Sequence, residues 1–384
     1  MEPEEKQRGH LLVDREIASL LGTAIRVGRG APSIVPAQAQ PASIDLRLGA
    51  SAWRIRAGFL PSAQSIGDRL AELALARIPL EGGAVLERGL AYLAEVEEEL
   101  ELSAELRARF NPRSTTGRCD VFTRVLCERH GRFDEAPKGY AGKLWIEISP
   151  LSFPVRVARG DRLCQMRLLT GRTALSQHEL RETCRGTPLV CAADQRPLPL
   201  GQIRFDEEGG ILLSVGLAGR DPAGWRAAAH AEVVELGRNG AHDARDFWEP
   251  LHAHHGQCTL EPGTFYLFAS RERLRIPPGL AAEMQPVDTG IGELRNNYAG
   301  FFDPGFGWRE GPDGAPLPGG TPAVLEVRAH DVPFLIEDGQ AMCRLRFHRV
   351  GGRPERLYGS GRTASYGHQD LTLARCFRPP ERSR

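Results

Sequence analysis

A mainly β fold, made of two tandem copies of one domain, is what this 384-residue sequence predicts. Three observations predict it. The length exceeds one ordinary core and suits two domains of about 150–200 residues each. Two collinear blocks of sequence recur further along the chain. Short apolar runs alternate with Gly, Pro and Asp over most of its length, the pattern of strands in a sandwich or barrel.

The repeat organises everything else. Leu86, Glu87, Gly89, Tyr92 and Leu93 recur as Leu260, Glu261, Gly263, Tyr266 and Leu267. With that spacing held, Leu100, Leu106, Ala108 and Pro112 fall on Leu274, Leu280, Ala282 and Pro286. In a second block Ile146-Glu147-Ile148 matches Leu325-Glu326-Val327. There Pro154, Gly160, Cys164 and Arg167 match Pro333, Gly339, Cys343 and Arg346. The expected domains are residues 1–190 and 205–384, with 191–204, rich in Pro, as a linker or connecting strand.

Residues 153–157, 162–169, 332–336 and 341–347 read as strands, and Pro41 to Gly49 as a turn followed by a strand. Helix is minor, with Val13 to Leu21 and Ser65 to Leu75 carrying the helical spacing.

Composition excludes several classes. The 49 basic and 49 acidic residues cancel, so no global field draws the protein to nucleic acid or an anionic membrane. No stretch approaches 18 apolar residues, and the N-terminus has no apolar leader core. The eight cysteines contain no CxxC pair, as expected of thiols in a reducing cytoplasm.

The sharpest local feature is Arg113-Ser114-Thr115-Thr116-Gly117-Arg118. Guanidinium forks and hydroxyls bind phosphate oxygens, and Gly lets the backbone approach. Such a segment is equally a polar turn capping a helix. The second copy has Val287-Asp288-Thr289-Gly290-Ile291-Gly292 instead, whereas a generic turn should survive duplication. That asymmetry favours binding.

Glu147 and Glu326 each stand inside an apolar β-type run, where a carboxylate is suited to giving and taking a proton. A solvent-facing strand residue is the plain alternative. Two loops, Arg132 to Gly142 with Asp134, and Tyr298 to Gly307 with Asp303, read as hairpin turns. Such turns can also present an Asp to a sugar hydroxyl. Metal chemistry is poorly supported. His230-Ala231-Glu232 has no Pro-Cys-x-x-Cys to complete a zinc-deaminase signature, and His252, His254 and His255 fit a solvated loop. Tyr358 to Arg362 lacks the Lys of a P-loop.

Together these segments resemble the dCTP deaminase branch of the dUTPase-like superfamily, in its long duplicated bacterial form. The family's Arg-Ser-Ser-x-x-Arg motif is similar to Arg113–Arg118. Its hairpin is similar to Arg132–Gly142, with three extra residues, and to Phe302–Gly307. Its Leu-Glu-Phe strand matches the surroundings of Glu147 and Glu326, and its N-terminal motif matches Gln40–Gly49. In the C-terminal lid Tyr358 and Gln369 keep the family spacing, while Ser365 stands in place of Lys and Arg362 can supply its charge.

The resemblance implies two dUTPase-like distorted β-barrel or jelly-roll domains with few short helices. It implies hydrolytic deamination of dCTP to dUTP and ammonia, a step in pyrimidine deoxynucleotide biosynthesis, with Glu147 or Glu326 as a metal-independent acid and base. Arg113, Ser114, Thr115, Thr116, Arg118, Arg132, Asp134, Asp303, Tyr358, Arg362 and Gln369 would bind substrate. Magnesium would enter with the triphosphate, and no zinc is expected. A cytoplasmic homo-oligomer with sites at domain interfaces, and with no nucleic-acid or membrane partner, completes the expectation. The alternatives are a bifunctional enzyme that also releases pyrophosphate and a non-catalytic nucleotide sensor.

Overall fold

A computed structural model describes residues 8–62, 64–287, 295–296, 300–329, 331–360, 366 and 370–378 of the chain. The backbone is mainly β and divides into two compact units. One comprises Met1–Thr173, Ala229–Asp246 and Ala374–Arg378, and the other Ala174–Ala228, Phe247–Leu373 and Pro379–Arg384.

The boundary after Thr173 differs from the one expected at 190, and burial explains it. Ser176 opens a helix, Gln177–Gly186, with a reciprocal capping box in which Ser176 N–H donates to Glu179 Oε2 at 2.9 Å. Leu180, Leu189 and Val190 then bury completely in the core of the second unit, so this stretch belongs to it. The segment read as a linker begins in a strand, Val190–Cys191, paired with Phe265–Leu274.

The sheets of the two units match strand for strand. In the first unit the main sheet runs Ala74–Pro79, Leu48–Ile55, Ala91–Glu101, Ala141–Pro150 and Val121–Cys127. In the second it runs Trp248–Leu251, Gly224–Ala227, Phe265–Leu274, Thr321–Arg328 and Arg295–Asn296. A smaller sheet follows the same rule. Ile44–Leu46, Cys164–Leu169, Arg107–Pro112 and Glu135–Ala136 correspond to Ile211–Ser214, Ala341–Arg349, Leu280–Pro286 and Phe301–Phe302. Pairing in these two pairs of sheets is antiparallel, and alternate residues feed the core as period-2 geometry requires.

The repeat extends to single hydrogen bonds. In the first unit Glu87 N–H donates to the Tyr92 hydroxyl oxygen at 2.8 Å; in the second Glu261 N–H donates to that of Tyr266 at 2.9 Å. Gly89 and Gly263 between them take φ of +77° and +66°, a conformation open to Gly at little cost.

Both expected helices form, as Asp14–Ser19 and Ile66–Leu73. Ser65 caps the second, its Oγ accepting from Asp68 N–H at 3.1 Å, and its Ile66, Leu70 and Leu73 cover Trp145, Leu93 and Leu126. The first unit also takes in two distant segments. Val234–Glu235 adds in parallel to Val155–Val157, and His242–Asp243 pairs with Phe377–Arg378.

Candidate functional site

Two arrangements in the first unit and one in the second hold the side chains singled out by sequence. The first is an open cleft walled by Arg113, Thr115, Thr116, Asp161, Arg162 and Arg375, among others. Local sequence explains how its main wall forms. The strand Arg107–Pro112 ends at Pro112, and Arg113 N–H is secured by Leu163 O at 2.9 Å. The chain then turns into a five-residue helix, Ser114–Arg118. Thr115, Thr116 and Arg118 are buried there, and Ser114 is exposed and outside the lining.

Behind the cleft lies Asp45, fully buried at the centre of the strand Ile44–Leu46. Its Oδ1 is 3.1 Å from Arg113 Nε and its Oδ2 3.5 Å from Arg162 Nη1. Burial pushes the Asp45 carboxyl above its ordinary range, while Arg113, Arg162 and Arg375 pull it back down. Asp45 therefore orients two guanidinium planes that line the cleft. Asp161 is raised by burial, opposed by the Ala158 N–H, which donates to its Oδ2 at 2.7 Å, and by Arg162. Three guanidinium groups, two hydroxyls and one carboxylate on the lining suit a multiply charged anion.

The second arrangement centres on Glu147, in the strand Ala141–Pro150. In register across the sheet it stands between Leu93 and Arg124. Its side chain is 4% exposed, and Arg124 Nη2 donates to Oε1 at 2.6 Å. The Arg124 guanidinium lies over the Phe133 ring, 3.9 Å from its centroid. Oε2 is buried with no hydrogen-bond partner among the described residues. Gly58 makes this approach possible, because a Cβ there would stand 2.7 Å from Oε2 and 3.0 Å from Oε1. An unsatisfied buried carboxylate oxygen costs free energy that a water or a substrate proton donor recovers.

The other candidates divide. Arg132 is exposed, its Nε 3.8 Å from Glu135 Oε2. Asp134 takes φ of +59° and turns its Oδ1 to the Val125 N–H at 2.8 Å, so it closes its own hairpin. Burial raises the Asp134 carboxyl to about 7 against that hydrogen bond and Arg124.

In the second unit Asp303 is buried, and its hairpin meets Tyr358. Tyr358 N–H donates to Pro304 O at 2.8 Å, and the Phe306 ring lies 4.8 Å from Phe302 and 5.6 Å from Tyr358. Gly305 is needed there, because a Cβ would stand 2.7 Å from Tyr358 N. Glu326 occupies the strand Thr321–Arg328 and is partly exposed. Arg362 and Gln369, like Ser365, Tyr298 and residues 288–292, lie outside the described residues.

Sequence reading passed over Asp45, Arg124, Arg162 and Arg375. A signal existed for Arg162: Asp161-Arg162 falls on Gln340-Ala341 in the second copy, the same asymmetry that marks Arg113–Arg118. Arg375 has no counterpart to compare.

Duplicated sheets with a guanidinium-lined cleft in the first unit define a tandem protein of the dUTPase-like β class. Within that class the chain belongs to the 2′-deoxycytidine 5′-triphosphate deaminase family. The family's N-terminal domain matches residues 9–172 and its C-terminal domain residues 176–377. A crystal structure of 2′-deoxycytidine 5′-triphosphate deaminase from Agrobacterium tumefaciens shares the fold with a TM-score of 0.79 and 39% identity. That likeness covers 90% of this chain and 99% of the other.

Shorter matches agree. A dCTP deaminase of Halorubrum lacusprofundi is 31% identical over 138 residues, 34% of this chain and 64% of that protein. A protein of Dictyoglomus thermophilum named dCTP deaminase, dUMP-forming, is 29% identical over 135 residues, again 34% and 64% of the two chains. The chain thus spans just under two thirds of these relatives' length. Among the described residues no helix is long and apolar enough to cross a membrane.

Proposed function

We propose that this protein is a dCTP deaminase, a hydrolase that converts dCTP and water to dUTP and ammonia. Family membership supports the substrate, and the observation that carries the chemistry is Glu147. One of its oxygens is held by Arg124, and the other is buried without a partner among the described residues. A carboxylate so placed can take a proton from water as hydroxide adds to C4 of the cytosine ring and pass it to the ring nitrogen; the proton of the new C4 hydroxyl then moves to the amino group, which leaves as ammonia as the carbonyl forms. Arg124 fixes the carboxylate and keeps its negative charge paired between proton transfers.

In this reading Arg113, Thr115 and Thr116 receive phosphate oxygens, and Asp45 holds Arg113 in place from behind. Magnesium enters as part of the triphosphate substrate, because Asp161, the carboxylate of the lining, already accepts a backbone N–H. Zinc has no step to perform. The enzyme acts as a homo-oligomer in the cytoplasm, a state that light scattering on the purified protein measures.

The test is ammonia release from dCTP with identification of the nucleotide product. Activity should persist in a zinc chelator with magnesium in excess. Loss on chelation that zinc alone restores would overturn the metal-independent mechanism, and no ammonia from dCTP would overturn the function. A second reading, further hydrolysis of dUTP to dUMP, draws on the name of the Dictyoglomus relative. Release of pyrophosphate together with ammonia would establish it.

A further inference from the structure

We propose that Arg375, far along the sequence from the other cleft residues, is a third guanidinium of the triphosphate subsite and sets substrate affinity. The inference rests on the reading of the cleft as a phosphate site. Arg375 lines the same cleft as Arg113, Thr115, Thr116 and Arg162. It is also one of the three cations drawn to the buried Asp45. A triphosphate outnumbers the charge that Arg113 and Arg162 have left after pairing with Asp45, and a third fork adds one more positive charge toward it.

The backbone around Arg375 is held from two sides, which pre-organises its side chain. On one side Gly240 N–H donates to Arg375 O at 2.9 Å, and His242 N–H to Cys376 O at 3.0 Å. The pairing His242 with Phe377 and Asp243 with Arg378 extends that grip, and Ala374, Cys376 and Phe377 are buried. On the other side Cys376 Sγ lies 3.7 Å from Cys119 Sγ. Cys119 caps the helix that carries Thr115 and Thr116. Arg375 is therefore fixed to the phosphate wall through its neighbour. A side chain whose backbone is fixed in advance loses less freedom on binding and contributes more affinity.

The position is chemically distinct from a surface arginine. The segment Ala229–Asp246, which also delivers Leu236 and Gly237 to the cleft, gives the Arg375 backbone its fixed partners. A Cβ on Gly237 would stand 3.1 Å from Asp161 Oδ1, so the wall is packed closely against the cleft carboxylate.

The experiment compares the full chain with Arg375→Gln, Arg375→Lys and, as a remote charge control, Arg26→Gln, an exposed residue paired with Glu101. Binding of dCTP and of inorganic tripolyphosphate, each with magnesium, is measured by calorimetry beside steady-state kinetics. Arg375→Gln should weaken both ligands about tenfold or more and raise KM with kcat within about twofold of wild type. Arg375→Lys should lose less, because it keeps the charge but not the fork, and Arg26→Gln should bind as wild type does. Unchanged dCTP affinity in Arg375→Gln, with deamination intact, overturns the role of Arg375 and leaves the function standing. Tripolyphosphate binding that depends on Arg375 in a protein that does not bind dCTP upholds the anion site and overturns the function. Equal losses in Arg375→Gln and Arg375→Lys, with lowered melting temperature in both, show a structural role and overturn the proposal.

Discussion

The two copies share the register of their sheets and differ in the side chains around one cleft. Across the main sheets, Trp53, Leu93 and Glu147 stand in register in the first unit, and Trp225, Leu267 and Glu326 in the second. On this side the glutamate strand thus meets the same neighbours twice. Around the cleft the agreement stops. Asp45 pairs with Gln165 across the strands, and Leu212 with Arg344 at the equivalent place. Asp45, Arg113 and Arg162 therefore correspond to Leu212, Val287 and Ala341, so three charges in one copy are three apolar side chains in the other. Buried charges are kept only when paired, and a copy that binds no anion loses nothing by replacing them with hydrocarbon. The scaffold was preserved through duplication while the charges around this cleft were not, and Leu212, Val287 and Ala341 stand as half-buried apolar side chains.

The largest expected effect separates the glutamates. Glu147→Gln removes the proton shuttle while nearly keeping shape, and should lower dCTP turnover by about 10²–10⁴-fold. Glu326→Gln should leave turnover close to wild type. Equal partial losses from each, with two dCTP bound per chain, would show that both copies work.

Next comes the cleft. Arg113→Ala should raise KM for dCTP by roughly 10–100-fold, the loss of a charge-assisted contact worth about 1.5–3 kcal/mol. Val287→Ala, at the matching position, should not move KM. A KM shift from Val287→Ala, or none from Arg113→Ala, would break the correspondence.

The hairpins offer a test by pH. The folded Asp134 carboxyl holds its proton up to about 7, whereas the unfolded group releases it near 3.8. The folded state thus binds more protons between those values, and this contribution to stability is present in acid and lost as pH rises through 7. Urea unfolding should show a loss of about 2–3 kcal/mol from pH 5 to pH 8 that Asp134→Asn abolishes, since Asn still accepts the Val125 N–H. A slope unchanged in Asp134→Asn would place the titration elsewhere.

The smallest effect should be the same in both copies. Tyr92→Phe and Tyr266→Phe each delete one turn-closing hydrogen bond, and each should cost about 0.5–1.5 kcal/mol of stability with turnover unaffected. A large difference between them would mean that the scaffolds are less alike than their registers.

Sequence carried the scaffold because its signals are local. Alternation, turn residues and the recurrence of Tyr92 as Tyr266 survive without knowledge of distant contacts. The helix Gln177–Gly186 was readable too, since Ser176 and Glu179 spell a capping box, yet it is not among the expected helices. One wall of the cleft was legible through the contrast between Arg113–Thr116 and the second copy. Ser114 belonged to the same motif but faces outward, because only some positions of a five-residue helix turn inward. Arg124 was hidden in an ordinary strand, where only the folded register opposite Glu147 and the approach of Phe133 give it partners. Leu236, Gly237 and Arg375 were beyond reach, because their place depends on two segments returning to a unit that the chain had left at Thr173.

That return gives the molecule an order of birth. Synthesis proceeds from the N-terminus, and domains tend to fold as their residues emerge. The sheet strands up to Leu169 can pair early, but Val234–Glu235 reaches the first unit only after the chain has begun the second, and Phe377–Arg378 only after the ribosome has made most of it. Closing such long loops slows the last contacts more than it weakens them, because the entropic cost grows only slowly with length. A nascent chain stalled before residue 375 would carry Glu147, Arg113 and Arg162 but not Arg375. The cleft is therefore complete only once residue 375 has joined it.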